Sequence, residues 1–354
     1  MSNIAQVIVP NSENMEEIVR LTKDLLAGSR LLNKQEARYL VDYYYAIQDF
    51  RMQAAAQMKQ AADSGEPNHL LQWVFTSMKR IEDNIQKALR AFAEEYNIGN
   101  WLMSITGIGP VITAGLLAHL DIKDRPTAGH FWRFAGLDPT LVWEKKTKRP
   151  WNAKLKVLTW KAGESFIKFQ NNQHDYYGKL FVTRKRREWE RNLRGDLAEQ
   201  CDAILAKKTF GAETNAVSWY SGEISSAWAK MILELGEGFP MSIPKDAKTG
   251  QGTKMLPPAH IHARARRWVT KIFLSHVHHA MYSDYYGTEP PIPYAFAKLP
   301  NEDHRHFIEL PNWPFECDAK SLQELIVPES TKGKPKNTKK TKLPKGTPED
   351  TDEA

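Results

Sequence analysis

The chain has 354 residues, enough for two or three domains, and its 42% apolar content with a formal charge of +7 describes a globular protein suited to an anionic partner. Two cysteines, Cys201 and Cys317, lie far apart and outside any CxxC pattern, which excludes a disulfide framework and a thiolate zinc site. The amino terminus lacks the basic-then-apolar order of a signal peptide, and no apolar run approaches the roughly 18 residues of a membrane span. The expectation is a soluble, cytoplasmic protein with no membrane partner.

In chain order, residues 1–34 read as an N-terminal helix and linker, with the helix over 12–28 capped by Ser12 or Asn14 and closed at Gly28. Residues 35–98 read as a helical hairpin, 35–61 and 68–98. Its second arm spaces Leu71, Val74, Met78, Ile81, Ile85, Ala88 and Phe92 at three and four. Such a seven-residue repeat describes either two core helices of a bundle or a projecting coiled-coil arm about 45 Å long that dimerises or spans a partner.

From Trp101 to Pro139 lies the stretch around which the remainder is arranged. Gly107, Ile108 and Gly109 join two apolar helical segments, and Pro110 suits the first position of the second. Amide groups at such a bend, aided by the helix dipole, can hold a phosphate without any side chain. A plain structural turn between helices has the same residues. This is the helix-hairpin-helix pattern.

A short helix from Pro126 carries Phe131, Trp132 and Phe134 and ends at Gly136. Residues 141–151 read as a small β-hairpin or an extended loop, and Asn152 caps a helix through Phe169. A charged helix over 173–206 and another over 212–235 follow. Residues 191–258 form a helical insertion ending in a Gly/Pro/Lys-rich loop. Residues 259–328 hold a closing helix to Tyr282 and an extended proline-rich segment, and 329–354 is a charged tail read as disordered. The fold class is mainly α: a long antiparallel helix pair, then a helical domain over 99–190 containing the hairpin motif, with room for one small β-hairpin.

Three basic groups stand out. Lys145, Lys146, Lys148, Arg149, Lys154 and Lys156 are interleaved with Trp143, Trp151 and Trp160. An arginine run covers 184–194, and Arg264, Arg267 and Lys271 share a helical face with Arg266 beside them. Cations neutralise phosphate while rings stack on exposed bases, so the first group beside the bend reads as a nucleic-acid surface. The 184–194 run alone reads as a solvated helix face. The histidines around His276 and His279 lack any complete ligand spacing, so no metal site is expected.

GIGPVITAGLLAHL, then HFWRFAGLDP, then KRPWNAKLKVLTWKAGESFIKF resembles the carboxy-terminal domain of the DEDD-type insertion-sequence transposases of the 110/116/902 group. Gly107, Gly109 and Pro110 match its Gly-x-Gly-Pro hairpin. Ala135, Gly136, Leu137 and Pro139 match its second element, and Arg149, Asn152, Leu155, Leu158 and Ala162 match the helix that follows, with Trp151 where a glycine is usual. The resemblance implies DNA as partner, or structured RNA, since the family uses a guide RNA. It also implies an N-terminal nuclease domain, and in the 35 residues before the helix pair no strand with a placed aspartate is found. The family's serine nucleophile has no counterpart between Pro139 and Asn152, where only Thr140 and Thr147 offer hydroxyls. The expectation is a transposase-like protein that grips duplex DNA through Gly107, Ile108, Gly109, Lys145, Lys146, Lys148, Arg149, Asn152, Lys154, Arg264, Arg267 and Lys271. It needs no cofactor, with Mg²⁺ required only in the alternative of an active recombinase.

Overall fold

The computed structural model describes residues 21–65, 69–123, 125–144, 146–211, 214–235, 252–291 and 308–326. The caps expected at Ser12 or Asn14 and the tail over 329–354 lie outside these residues. Helix α1 is Lys23–Ser29, α2 Lys34–Asp63, α3 His69–Glu94, α4 Asn97–Ser104, α5 Pro110–His119, α6 Ala128–Phe134 and α7 Ala153–Phe169. Then come α8 Tyr177–Leu193, α9 Ala198–Lys207, α10 Asn215–Tyr220, α11 Ser226–Leu235, α12 Pro258–Tyr286 and α13 Leu322–Leu325. Among the described residues, β-structure is limited to isolated bridge positions: Tyr96 pairs in parallel with Lys320, and Ile224 is a third such position.

Local chemistry sets most of these boundaries. Asn33 and Glu36 close a reciprocal capping box at the start of α2, and Asn152 Oδ1 accepts the Leu155 N–H (3.0 Å) at the start of α7. Gly287, at φ 67, ends α12 in the left-handed conformation. The helix expected over 173–206 is instead two, α8 and α9, broken at Gly195 with φ 87; the one over 212–235 is split into α10 and α11 at Gly222 with φ 80. At Gly222 a Cβ would come within 2.6 Å of the Gly252 carbonyl, so close approach of a distant segment decides that break.

The β-hairpin expected over 141–151 is not formed. Lys146 adopts φ 72, Trp143 Nε1 donates to the Thr147 carbonyl (2.9 Å), and the Thr147 hydroxyl donates to the Glu144 carbonyl (2.8 Å). The short span folds on itself as a loop, so its ends never pair.

Helix α5 lies at the centre. Every residue from Thr113 to His119 is buried, as are Pro110 and Val111. The inner halves of α2 and α3 cover it, α7 packs across it, and α12 lies behind α7. Gly115 allows the α5–α7 contact, since a Cβ there would lie 2.6 Å from Leu158 Cδ2. Arg38 Nε donates to the Ala118 carbonyl (2.8 Å) and Lys34 Nζ to the Leu120 carbonyl (3.2 Å), placing two cations at the negative end of α5.

The long pair α2–α3 is antiparallel. Buried Glu82 of α3 pairs with Arg51 of α2 and accepts from Gln48 (2.9 Å). All fully buried residues of α3 lie at or after Glu82, whereas Phe50, Met52, Leu70 and Trp73 of the outer turns are exposed. A second apolar cluster, with Trp189, Cys201, Trp219, Tyr220, Met255 and Ile261, binds α9–α11 to the end of α8.

Candidate nucleic-acid interface

The bend between α4 and α5 is partly open to solvent. Gly107, at φ 92, accepts the Ser165 hydroxyl at its carbonyl (2.5 Å), and a Cβ there would sit 3.1 Å from that hydroxyl, so both conformation and space require glycine. Ile108 turns its side chain into the core and gives its N–H to the Ile105 carbonyl (2.9 Å), which leaves no free donor at that residue. Gly109 is the N-cap of α5 without a side-chain cap, and a Cβ there would meet nothing within 4 Å. The N–H groups of Gly109, Val111 and Ile112 find no acceptor among the described residues. Together with Met103, Thr106 and Phe169 the bend lines a shallow open concavity. A donor-rich cradle with empty space above its glycine suits an oxyanion.

Helices α5 and α7 run antiparallel. His119, at the end of α5, meets Asn152 before α7 (Nδ1–Nδ2 3.3 Å), while Gly107, before α5, meets Ser165 and Phe169 at the end of α7. The bend and the basic segment that follows it in sequence therefore sit at opposite ends of α7, about 25 Å apart along 17 residues. The outer face of α7 joins them.

That face is cationic and aromatic. Lys154 pairs with Asp42 of α2, Lys161 Nζ lies 4.0 Å from the Tyr45 ring centroid, and Lys168 is exposed in the last turn. On the other flank Arg266 of α12 pairs with Glu164 and lies 5.2 Å from the Trp160 ring. At the near end Lys156 Nζ lies 4.3 Å from the Trp151 ring and Arg149 lies 5.1 Å from Trp143. Burial lowers the Lys156 pKa, and the charges of Arg149 and Arg267 lower it further; burial, Arg264 and Arg266 do the same to Arg267. Neither Lys156 nor Arg267 has an ion-pair partner among the described residues, whereas Arg264 and Arg266 pair with Glu188 and Glu164. Along the face, Arg149, Lys154, Lys156, Lys161, Lys168, Arg266 and Arg267 meet only Asp42 and Glu164 as ion-pair partners among the described residues.

The remaining expected residues divide clearly. Lys145 lies outside the described residues. Lys146 and Lys148 are exposed on the 141–151 loop. Lys271, with its ammonium 5.2 Å from the Trp132 ring, flanks the near end, where Asp138 raises its pKa against the larger lowering by burial. Asn152 spends its side chain on the α7 cap and on His119. Arg264 is committed to Glu188 (2.8 Å) and Gln200 (2.8 Å).

Thr140 donates its hydroxyl to Asp138 Oδ1 (2.7 Å), and its N–H bonds the same oxygen (2.9 Å). These bonds hold Asp138 below its ordinary pKa, with help from Arg133 and Lys271. Thr147 bonds only a carbonyl. Among the described residues no three His, Cys, Asp or Glu side chains converge to hold an ion. His276 is engaged by Tyr177 and the Ile308 carbonyl, and His278 by the Arg125 carbonyl. No described helix is long and apolar enough to cross a membrane.

Residues 99–177 match the transposase IS116/IS110/IS902 family. The match runs from α4 to the first residue of α8, so the transposase-like segment contains the bend, buried α5, the 141–151 loop and all of α7. It covers less than a quarter of the chain. The long pair α2–α3 and closing helix α12 lie outside it. No curated protein and no solved structure matches the chain.

Lys161, Lys168, Ser165, Phe169 and Tyr45 escaped the sequence reading. The first two were legible in principle, because Lys154, Lys161 and Lys168 recur every seven residues and therefore share one side of α7. Tyr45 gave no signal, since only packing of α2 against α7 brings it to Lys161.

Proposed function

We propose that the chain is a transposase-like protein that grips duplex DNA along the outer face of α7. The bend at Gly109 takes a backbone phosphate at one end of that face. Arg149, Lys156, Arg267 and Lys271, with Lys146 and Lys148 beside them, take phosphates at the other. The observation that carries this reading is the largely unanswered row of cations on one helix face, ending at a helix N-terminus with free amides. The transposase match over the same residues supports DNA as the polyanion.

Affinity for random-sequence duplex across a salt series tests it. Log affinity should fall steeply and linearly with log salt, and Lys156→Gln with Arg267→Gln should reduce the slope by about 2. Gly109→Val should weaken duplex binding with little loss of stability, because its Cβ enters open space; Gly107 makes a poorer probe, being tied to a positive φ. A flat salt response, or unchanged binding in Gly109→Val, overturns the reading. Tighter binding of a structured RNA than of duplex in the same series would transfer the face to RNA.

The Thr140–Asp138 contact favours a second reading, an active recombinase with Thr140 as nucleophile and Asp138 as base. Incubation with supercoiled plasmid and Mg²⁺ should then give nicks or a covalent adduct lost in Thr140→Val. Self-association is part of the proposal as well: Phe50, Met52, Leu70 and Trp73 on the outer half of α2–α3 would join two copies. Light scattering should report a dimer that Trp73→Ser weakens.

A further inference from the structure

The cations on α7 answer a phosphate backbone, but the tryptophans beside them do not. Trp160 is 48% exposed and Trp143 39% exposed, and Val157, about one turn before Trp160, is 53% exposed. Large apolar groups left in water beside guanidinium groups gain nothing from a duplex held by its phosphates. In a duplex the faces of the bases are covered by their neighbours in the stack. An unpaired strand presents those faces, and base–aromatic stacking tolerates any sequence.

The geometry fits such a strand. Each exposed ring has a cation against it: Arg266 5.2 Å from Trp160 and Arg149 5.1 Å from Trp143, with Lys156 4.3 Å from the intervening Trp151. Trp143 and Trp151 meet edge to face with centroids 6.4 Å apart, which fixes the rings that border the near end. From Ala153, the first residue of α7, to Trp160 is about 10 Å along the helix, the length of about three phosphates in a stacked strand. Lys156 lies between Trp151 and Trp160 in sequence, Arg267 is close enough for its charge to act on Lys156, and neither has an ion-pair partner among the described residues.

We propose that the Trp143–Trp160 edge of α7 holds a stretch of unpaired DNA, with bases stacking on Trp160 and Trp143 and phosphates lying on Arg149, Lys156 and Arg267. This rests on the DNA-gripping reading and adds to it the state of the strand: where the DNA is opened, the cations that take duplex phosphates at this end take those of the unpaired strand instead, next to duplex held at the bend. The transposase match makes DNA the strand argued for.

Fluorescence anisotropy with a labelled oligothymidylate of about 15 nucleotides and a labelled hairpin duplex tests the proposal on the full chain. Trp160→Ala should weaken oligothymidylate binding about tenfold, the loss of one stacked base, with less than twofold change for the duplex. Trp160→Phe should restore most of it. Trp143→Ala, on the surface loop, should give the same split and serves if the Trp160 variant loses its fold. Equal losses on both probes, or no loss on the oligothymidylate, overturns the proposal, and so does tighter binding of oligouridylate of the same length. Failure of the duplex reading is separate: Gly109→Val would then leave duplex binding unchanged while oligothymidylate binding still depends on Trp160.

Discussion

Two arginine-rich regions look alike in the sequence and behave differently in the fold. On α8, Arg184 and Arg191 converge with Arg264 of α12 on Glu188, whose side chain is buried. Burial on its own would raise the Glu188 pKa, but the Arg264 hydrogen bond and the three positive charges hold it below the ordinary value. There the cations are answered and fasten α8 to α12. Beside α7, Arg149, Lys156 and Arg267 gather with no ion-pair partner among the described residues; after burial, the charges of Arg149 and Arg267 lower the Lys156 pKa. The lesson is that cation density does not mark a binding surface; the missing counter-charge does.

The largest test of this contrast is Glu188→Gln, which leaves three guanidinium groups around a neutral amide and should cost ~3–5 kcal/mol, read by denaturant unfolding. A cost under ~1 kcal/mol would mean the α8 cluster is as unanswered as the other. Acid supplies the same test by titration. Glu188 has a folded pKa below its ordinary 4.5, so its contribution is fully present above that value and is lost as pH falls through the lower folded one. The acid limb of the stability curve should therefore flatten in Glu188→Gln.

Lys156→Gln should act in the opposite direction. Removing one of the mutually repelling cations should leave stability unchanged or raise it by about 0.5 kcal/mol while weakening duplex binding. A clear loss of stability would show that Lys156 has a structural role through Trp151. The smallest effect belongs to Arg186→Gln. Its side chain is 78% exposed and pairs with Glu190 at 3.3 Å within α8, so stability should stay within ~0.5 kcal/mol and the salt dependence of binding should not change.

Much of the helical framework was legible because its causes are local. Asn152 as a cap and Pro110 after the Gly107–Gly109 bend each act within one turn, so four or five residues carry the signal, whereas the closing helix runs on to Tyr286, past the expected Tyr282, before Gly287 ends it. The same locality misled over 173–206, where periodicity runs on but Gly195 reverses the backbone. Of the candidate surface, the residue types were visible and their grouping was not. Arg264, Arg267 and Lys271 share a helix, yet Arg264 is spent on Glu188, 76 positions away.

The sequence by itself determined most of the helices and the bend before α5, because hydrogen bonds between near neighbours and side-chain periodicity do not depend on the rest of the chain. Only the tertiary structure decided which charges are paired and which end of α7 faces the bend. Lys154 finds Asp42 across 112 positions, and α5 and α7 lie antiparallel through Gly115 against Leu158. Coulomb interaction and packing depend on distance in space, and a linear chain fixes that distance only once it has folded.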